Sequence, residues 1–160
     1  MRSNQAGITL TEVTIVMVLA AIVTVGLVTF YVNSQATWMD ASTQALAQRD
    51  ATLVIEQIAT ETRTAYVAKV SPDAGGNPML VLYDIGNDEF ARFWWNEKGD
   101  SLIHRGEGNP SKDLGAIAVT KVDEFQVDSN DTLVFVRPLR MHSTTGQPVE
   151  MTSSMALYNR

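Results

Sequence analysis

The stretch that decides the fold is residues 13–32, VTIVMVLAAIVTVGLVTFYV, an apolar run interrupted only by three threonines and one glycine. As a helix, a run of this length spans ~30 Å, which is the thickness of the hydrocarbon layer of a bilayer. No charged residue occurs between Glu12 and Asp40, whereas a core helix of a soluble protein is shorter and carries a polar stripe. The sequence therefore predicts one membrane-spanning helix over residues 8–32.

The composition excludes several classes of function. The 160 residues include 12 Lys and Arg against 18 Asp and Glu, and the net charge of −6 is spread along the chain, which argues against nucleic acid as a partner. The absence of cysteine excludes disulfides, thiolate zinc sites and cysteine nucleophiles. No hydrolase, zinc-protease, P-loop or dinucleotide-binding motif occurs. We therefore expect no catalytic residue, no metal and no cofactor, in a protein that is not an enzyme.

The carboxylate of Glu12 lies at the mouth of the apolar run. A charge near the membrane core costs about 2.5–3.5 kcal/mol on insertion scales, so such a residue usually has a partner. The segment contains no Lys, Arg or His, but cleavage after the small residue Gly7 would place a new α-amine on Ile8, four residues before Glu12. Glu12 of the same chain or of a neighbouring chain could bind that amine. Pairing between chains would fix the axial register of helices packed side by side.

The string GITLTEV at residues 7–13, followed by a long apolar helix, resembles the class III signal of type IV pilins and type II secretion pseudopilins. The resemblance implies that residues 1–7 are a leader, that a prepilin peptidase cuts between Gly7 and Ile8, and that Ile8 becomes N-methylated. It implies that Glu12 serves filament assembly. The implied fold is α+β and pilin-like, and the implied protein is a minor pilin or pseudopilin.

The same resemblance implies a set of partners and a location. The partners are other pilin or pseudopilin subunits through the N-terminal helix, the prepilin peptidase, an inner-membrane assembly platform, and membrane lipid before assembly. The location is the bacterial inner membrane, crossed once with the N-terminus in the cytoplasm and the C-terminal domain in the periplasm. Assembly then places the chain in a filament of the cell envelope.

The helix is predicted to continue beyond the membrane, because residues 33–70 contain neither proline nor glycine. Apolar residues recur among charged ones in this range and predict an amphipathic helix that lies on a folded domain. The predicted apolar stripe consists of Met39, Leu46, Leu53, Val54, Ile58, Ala65 and Tyr66. Ser71-Pro72 and the glycine-rich segment after them end the helix.

Residues 71–160 are predicted to form an antiparallel β domain whose sheet packs on this stripe, which makes the fold α+β. Alternating apolar and polar residues between turn signals predict the strands. They are placed at residues 79–83, 90–96, 101–105, 119–128, 133–140 and 151–158. The segment GEGNPSKDLG at residues 106–115 is predicted to be a loop.

Looser patterns in the C-terminal part resemble the J-type pseudopilins and the W-type minor pilins. They comprise ATLVIEQIATETRTAYV at the helix end, FARFWWNEKGDSLIHR, VDEFQVDSNDTLVFVRPLR, and the terminal LYNR. This resemblance implies a minor subunit rather than a major pilin.

The adjacent tryptophans and the two histidines are candidates for binding sites, but each also has a purely structural interpretation. Trp94 and Trp95 face opposite sides of a strand and cannot form one binding platform, so we expect one in the core and the other exposed or at a subunit contact. His104 and His142 lie in no ligand-spacing motif. We expect His104, at a strand end, to be solvated.

Two polar features have weak functional interpretations. Asp128, Asn130 and Asp131 resemble part of a Ca²⁺ loop, but the alternation and closing Glu of an EF-hand are missing, which favours a solvated turn. Arg137 and Arg140 are weak evidence for contact with nucleic acid on an acidic domain.

Other interpretations of the N-terminus stay open. Residues 7–32 could be a plain signal anchor with a chance Glu, or a secretory signal cut before Thr37 after small residues. At the level of function, the alternatives are a single-pass, membrane-anchored periplasmic adaptor or sensor that does not polymerise, and a membrane-tethered hydrolase.

Overall fold

The computed structural model of the chain describes residues 9–108, 112–143 and 148–158. The chain divides into two compact units, one up to Met39 and one from Asp40 onward. The elements, in chain order, are α1 (Leu10–Thr62), β1 (Val67–Pro72), β2 (Pro78–Tyr83), β3 (Glu89–Trp95), β4 (Ile103–Glu107), β5 (Lys112–Ala116), β6 (Val122–Ser129), β7 (Leu133–Met141) and β8 (Val149–Ala156). The predicted α+β class, a long N-terminal helix followed by antiparallel strands, is confirmed.

The first unit contains the apolar part of α1, which runs without a break through Gly26. This part is long and apolar enough to cross a membrane, and none of its most apolar window is buried. The threonines that interrupt the apolar run donate hydrogen bonds to the carbonyl four residues earlier, at 2.9 Å for Thr14, 2.7 Å for Thr24 and 2.9 Å for Thr29. Because each hydroxyl is satisfied within the helix, the helix can enter lipid without an unpaired donor.

The second unit buries one face of the remaining part of α1. The buried residues recur at helical spacing: Ala47, Asp50, Ala51, Val54, Ile58 and Thr62. The predicted stripe is right for Val54 and Ile58 and wrong for Met39, Leu46 and Leu53, which are exposed. At ~100° per residue, Met39, Leu46 and Leu53 lie on the flank of the helix beside that buried face.

The helix ends at Thr62, eight residues before the predicted Val70. The segment after it contains the β-branched residues Thr64 and Val67 and the aromatic Tyr66, which have weaker helix propensity than straight-chain residues. Val67–Pro72 forms β1, which pairs antiparallel with β2. Ala65 and Tyr66 therefore belong to the turn into the sheet. Ala65 is buried in the core, as predicted, whereas Tyr66 is exposed.

The strands form two antiparallel sheets instead of the single predicted sheet. One has the order β1-β2-β3-β4-β5, and the other has the order β6-β7-β8. Side chains of both sheets join the buried face of α1 in one hydrophobic core. The largest fully buried members from the strands are Phe93, Phe125, Leu80, Leu82, Ile103, Leu139 and Met141.

The glycine-rich segment predicted to be a loop includes the end of β4 and most of β5, an edge strand paired with β4, while residues 109–111 lie outside the described residues. A Cβ on Gly106 would lie 2.8 Å from the carbonyl oxygen of Lys112, and Gly115 has a φ of +101°. Glycine is required at the first position by the close strand approach and at the second by the backbone conformation. The glycines on which the loop prediction rested therefore permit an irregular strand pair. The register of this pair shifts between Arg105 and Gly106.

Candidate functional site

The long helix begins with a side-chain cap. Thr9 precedes the first helical residue, and its Oγ1 accepts a hydrogen bond from the backbone N–H of Glu12 at 3.3 Å. The pair has the Thr-x-x-Glu spacing of a capping box, in which a Thr or Ser caps the helix and a Glu stands three residues later. Sequence reasoning missed this function of Thr9, although the spacing itself is its signal. Glu12 therefore lies in the first turn of α1, where the helix dipole favours a carboxylate.

The surroundings of Glu12 are apolar. It borders a shallow depression lined by Val13, Val16 and Met17, and these side chains are exposed. Within the part of the chain that the structure describes, no ion pair involves Glu12. The carboxylate thus stands at the end of an exposed apolar helix surface.

The predicted cleavage and methylation residues, Gly7 and Ile8, lie outside the described residues. Residues 2–28 match the family described as "Prokaryotic N-terminal methylation motif". The matched range contains Gly7, Ile8 and Glu12 and ends inside the apolar segment. No curated protein and no solved structure matches the chain.

The match supports a class III, prepilin-type signal at the N-terminus. Such a signal implies processing by a prepilin peptidase and assembly with other pilin-like subunits. Together with the long apolar helix, it fits a protein anchored in the inner membrane. The match does not extend into the β-rich unit.

The two adjacent tryptophans lie on opposite faces of β3. Trp95 packs against the hydrophobic core, as expected for one of the pair. Trp94 is half-buried on the other face, where its ring stacks on that of His104 with centroids 5.6 Å apart and planes inclined by 28°. Trp94 is therefore partly buried and supports a neighbouring side chain, whereas its alternative place at a subunit contact stays a prediction.

The prediction of a solvated His104 is wrong, because the residue is only 9% exposed. Its Nε2 lies 2.8 Å from Asp100 Oδ2 and its Nδ1 lies 3.2 Å from Asp113 Oδ2. Ionised carboxylates only accept hydrogen bonds, so both ring nitrogens donate only when the ring is an imidazolium. Burial lowers the pKa of His104, but the two carboxylates outweigh burial and the net shift is upward. The ring therefore ties the turn before β4 to the edge strand β5 as a cation.

We expect this tie to weaken as the pH rises. Because the folded-state pKa of His104 is raised, its contribution to stability is complete below the ordinary value of about 6.5 and is lost as pH rises through the raised value. Urea unfolding of the full chain in detergent, repeated across this pH window, measures the loss. His104→Phe keeps an aromatic ring against Trp94 and should remove the pH dependence, whereas His142→Gln should retain it. An equal pH dependence in His104→Phe would contradict the assignment.

Asp50 is a buried acid that sequence reasoning did not single out. It is 5% exposed, and its Oδ2 accepts hydrogen bonds from Val119 N at 3.1 Å, Thr120 N at 2.9 Å and Thr120 Oγ1 at 2.7 Å. These donors belong to the connection between β5 and β6, which links the two sheets. Asp50 therefore fastens that connection to α1. An acidic residue among buried helix positions was the signal for it.

A second polar cluster lies near the end of α1. Arg105 on β4 contacts Glu61 through its Nε and Glu107 through its Nη1. The hydrogen bond with Glu61 raises the pKa of Arg105, against a smaller lowering by burial. The cluster holds the last turn of the helix on the five-stranded sheet.

The weak candidates of the β-rich unit have structural contacts. Asn130 Oδ1 accepts hydrogen bonds from Thr132 N at 3.0 Å and from Leu133 N at 2.7 Å, and Asp128 Oδ1 accepts one from Ser129 N at 2.8 Å. These oxygens close the turn between β6 and β7. In the described ranges, no group of three or more His, Asp or Glu side chains could hold a metal ion.

The two arginines of β7 are also engaged. Arg140 bridges Glu124 at 3.1 Å and Glu150 at 2.9 Å, and the guanidinium of Arg137 lies over the ring of Phe135 at 4.3 Å. His142 is exposed and lies 3.4 Å from Asp123. Arg140 is therefore paired with two acids, and Arg137 is stacked on an aromatic ring.

Proposed function

We propose that this chain is a minor pilin or pseudopilin, a structural subunit that assembles into a type IV pilus or a type II secretion pseudopilus. A prepilin peptidase cuts it between Gly7 and Ile8, Ile8 becomes N-methylated, and Glu12 acts in filament assembly. The subunit has no catalytic role and needs no cofactor. The observation that carries the proposal is a carboxylate at the start of an uncovered apolar helix, inside a matched N-terminal methylation motif.

The charge of Glu12 gives the proposal its mechanism. Cleavage after Gly7 creates an α-amine on Ile8, about one helical turn from Glu12. Lipid tails are as apolar as the side chains of the helix, so the hydrophobic effect alone does not favour the filament over the bilayer. The free energy that favours the filament over the bilayer then comes from packing between helices and from pairing of the amine with Glu12 of a neighbouring chain. An unpaired charge within the packed helices is penalised, so pairing also selects one axial register.

The partners and location follow from this mechanism. The precursor inserts into the inner membrane with its N-terminus in the cytoplasm and its β-rich unit in the periplasm. It meets the prepilin peptidase first and then an inner-membrane assembly platform and other pilin-like subunits. The loose patterns of the C-terminal part favour the J-type pseudopilins and the W-type minor pilins as its subgroup.

Co-purification from the producing cells tests assembly directly. After cross-linking and detergent extraction, we expect the chain to be recovered with other pilin-like chains that carry short leaders. Gly7→Val enlarges the residue at the cleavage site and should abolish this recovery while the chain remains in the membrane. Recovery of the wild-type chain only with partners that lack such leaders would contradict the proposal and favour a non-polymerising adaptor or sensor.

A further inference from the structure

One face of α1 near the end of the apolar run carries both aromatic and polar side chains. Tyr31, Gln35 and Trp38 follow one another at spacings of four and three residues, and together with Ser34 they line one shallow surface groove. Gln35 Nε2 donates a hydrogen bond to the hydroxyl of Tyr31 at 3.1 Å. Tyr31 is 63% exposed and Trp38 is 70% exposed. We call Tyr31, Gln35 and Trp38 the aromatic face.

The aromatic side chains of the first unit are confined to one end of it. Between Leu10 and Met39 the sequence contains three aromatic residues, Phe30, Tyr31 and Trp38, and all lie in the last ten positions. The end that carries Glu12 has none. This asymmetry separates the two ends of the helix chemically.

The length of the uncharged segment places the aromatic face in a bilayer. The first charged residue after Glu12 is Asp40, and a helix between them extends ~42 Å, close to the full thickness of a bilayer with its headgroups. On the same axis Tyr31 lies ~28 Å and Trp38 ~39 Å from Glu12. With Glu12 at one boundary of the ~30 Å hydrocarbon layer, Tyr31 therefore lies at the opposite boundary and Trp38 lies in the headgroup layer beyond it.

Neither water nor hydrocarbon suits this group of side chains. In water, two large aromatic surfaces would stay exposed at an unfavourable hydration cost. In hydrocarbon, the amides and hydroxyls of Gln35 and Ser34 would lose their hydration. In the headgroup layer the aromatic rings can contact apolar groups while the polar groups stay hydrated, which is why Trp and Tyr are enriched there in membrane proteins.

We propose that the aromatic face is an interfacial anchor whose partner is the lipid headgroup layer on the side of the β-rich unit. It holds the unassembled subunit at one depth, so that Glu12 stays at the opposite surface. The inference rests on the membrane anchorage in the proposed function, but it does not depend on cleavage or on assembly.

Depth-dependent quenching of tryptophan fluorescence tests the anchor. The full chain is reconstituted in vesicles of phosphatidylcholine and phosphatidylglycerol whose acyl chains carry bromine either near the headgroups or near the bilayer centre. The difference in emission between wild type and Trp38→Phe isolates Trp38 from Trp94 and Trp95. We expect a blue-shifted Trp38 emission that shallow bromines quench more strongly than deep ones.

A second variant provides the matched control. Phe30→Trp in the Trp38→Phe background moves the indole ~12 Å along the helix towards the bilayer centre, so the ratio of deep to shallow quenching should be higher than for Trp38. A Trp38 that neither lipid quenches, or that deep bromines quench more strongly, overturns the anchor. If the chain does not float with the vesicles at all, the membrane anchorage of the proposed function fails as well, so the two failures are distinguishable.

Discussion

Replacing Glu12 by alanine is expected to give a chain that is cleaved and inserted normally but enters filaments poorly. The variant leaves the α-amine of Ile8 without a carboxylate in the packed helices. An unpaired charge in this setting costs about 2.5–3.5 kcal/mol, which corresponds to roughly a hundredfold loss in the equilibrium between membrane and filament. Glu12→Lys should be more severe, because it places a second cation beside the amine. The ratio of chain in sheared filaments to chain in membranes measures the effect.

A matched variant separates charge pairing from helix capping. Glu12 donates its backbone N–H to Thr9 Oγ1, so the start of the helix has a stability of its own. Thr9→Ala removes the cap and costs about 0.5–2 kcal/mol of local helix stability, but it keeps the carboxylate. We expect Thr9→Ala to assemble far better than Glu12→Ala. Equal incorporation of Glu12→Ala and wild type, or equal defects in Glu12→Ala and Thr9→Ala, would contradict the register function of Glu12.

Replacing Asp50 by alanine should destabilise the β-rich unit more than any exposed charge substitution. The substitution removes one carboxylate oxygen that accepts three hydrogen bonds from Val119 and Thr120. Hydrogen bonds to a charged acceptor are lost, and the buried donors of Val119 and Thr120 are left unsatisfied. We therefore expect a loss of about 2–3 kcal/mol in the free energy of unfolding. Urea unfolding of the full chain in detergent should show a lower midpoint with an unchanged slope.

Two other variants define the origin of that loss. Asp50→Asn keeps a neutral oxygen acceptor and should lose less stability than Asp50→Ala. Glu56→Ala removes a carboxylate from an exposed position of the same helix, and surface substitutions of this kind usually change stability by no more than about 0.5 kcal/mol. If Asp50→Ala were as stable as Glu56→Ala, the connection between the sheets would not depend on Asp50.

The sequence was most informative where a pattern depends on local chemistry. The apolar run after Glu12 predicted a long apolar helix, because an uncharged segment of that length matches the thickness of a bilayer. The same locality made Val54 and Ile58 recognisable as buried helix positions. The roles of Gly7 and Ile8 remain predictions, since they lie outside the described residues.

The sequence was least informative where long-range packing decides the outcome. The helix end at Thr62 depends on Val67–Pro72 finding β2 as a partner, which no local pattern encodes. His104 is buried only because Trp94, Asp100 and Asp113 converge on it from separate turns and strands. Asp50 similarly meets donors that are 69 and 70 positions away in the sequence. Such polar contacts become visible only when the strands are placed in three dimensions.

The mature N-terminus of the native chain tests the central claim most directly. Intact mass and fragmentation of the protein isolated from its producing cells would identify the first residue and any modification of its α-nitrogen. The account predicts a chain that begins at Ile8 and carries a methyl group on that nitrogen. A chain that retains Met1, as a plain anchor would, or that begins at Thr37, as a secreted protein would, contradicts it.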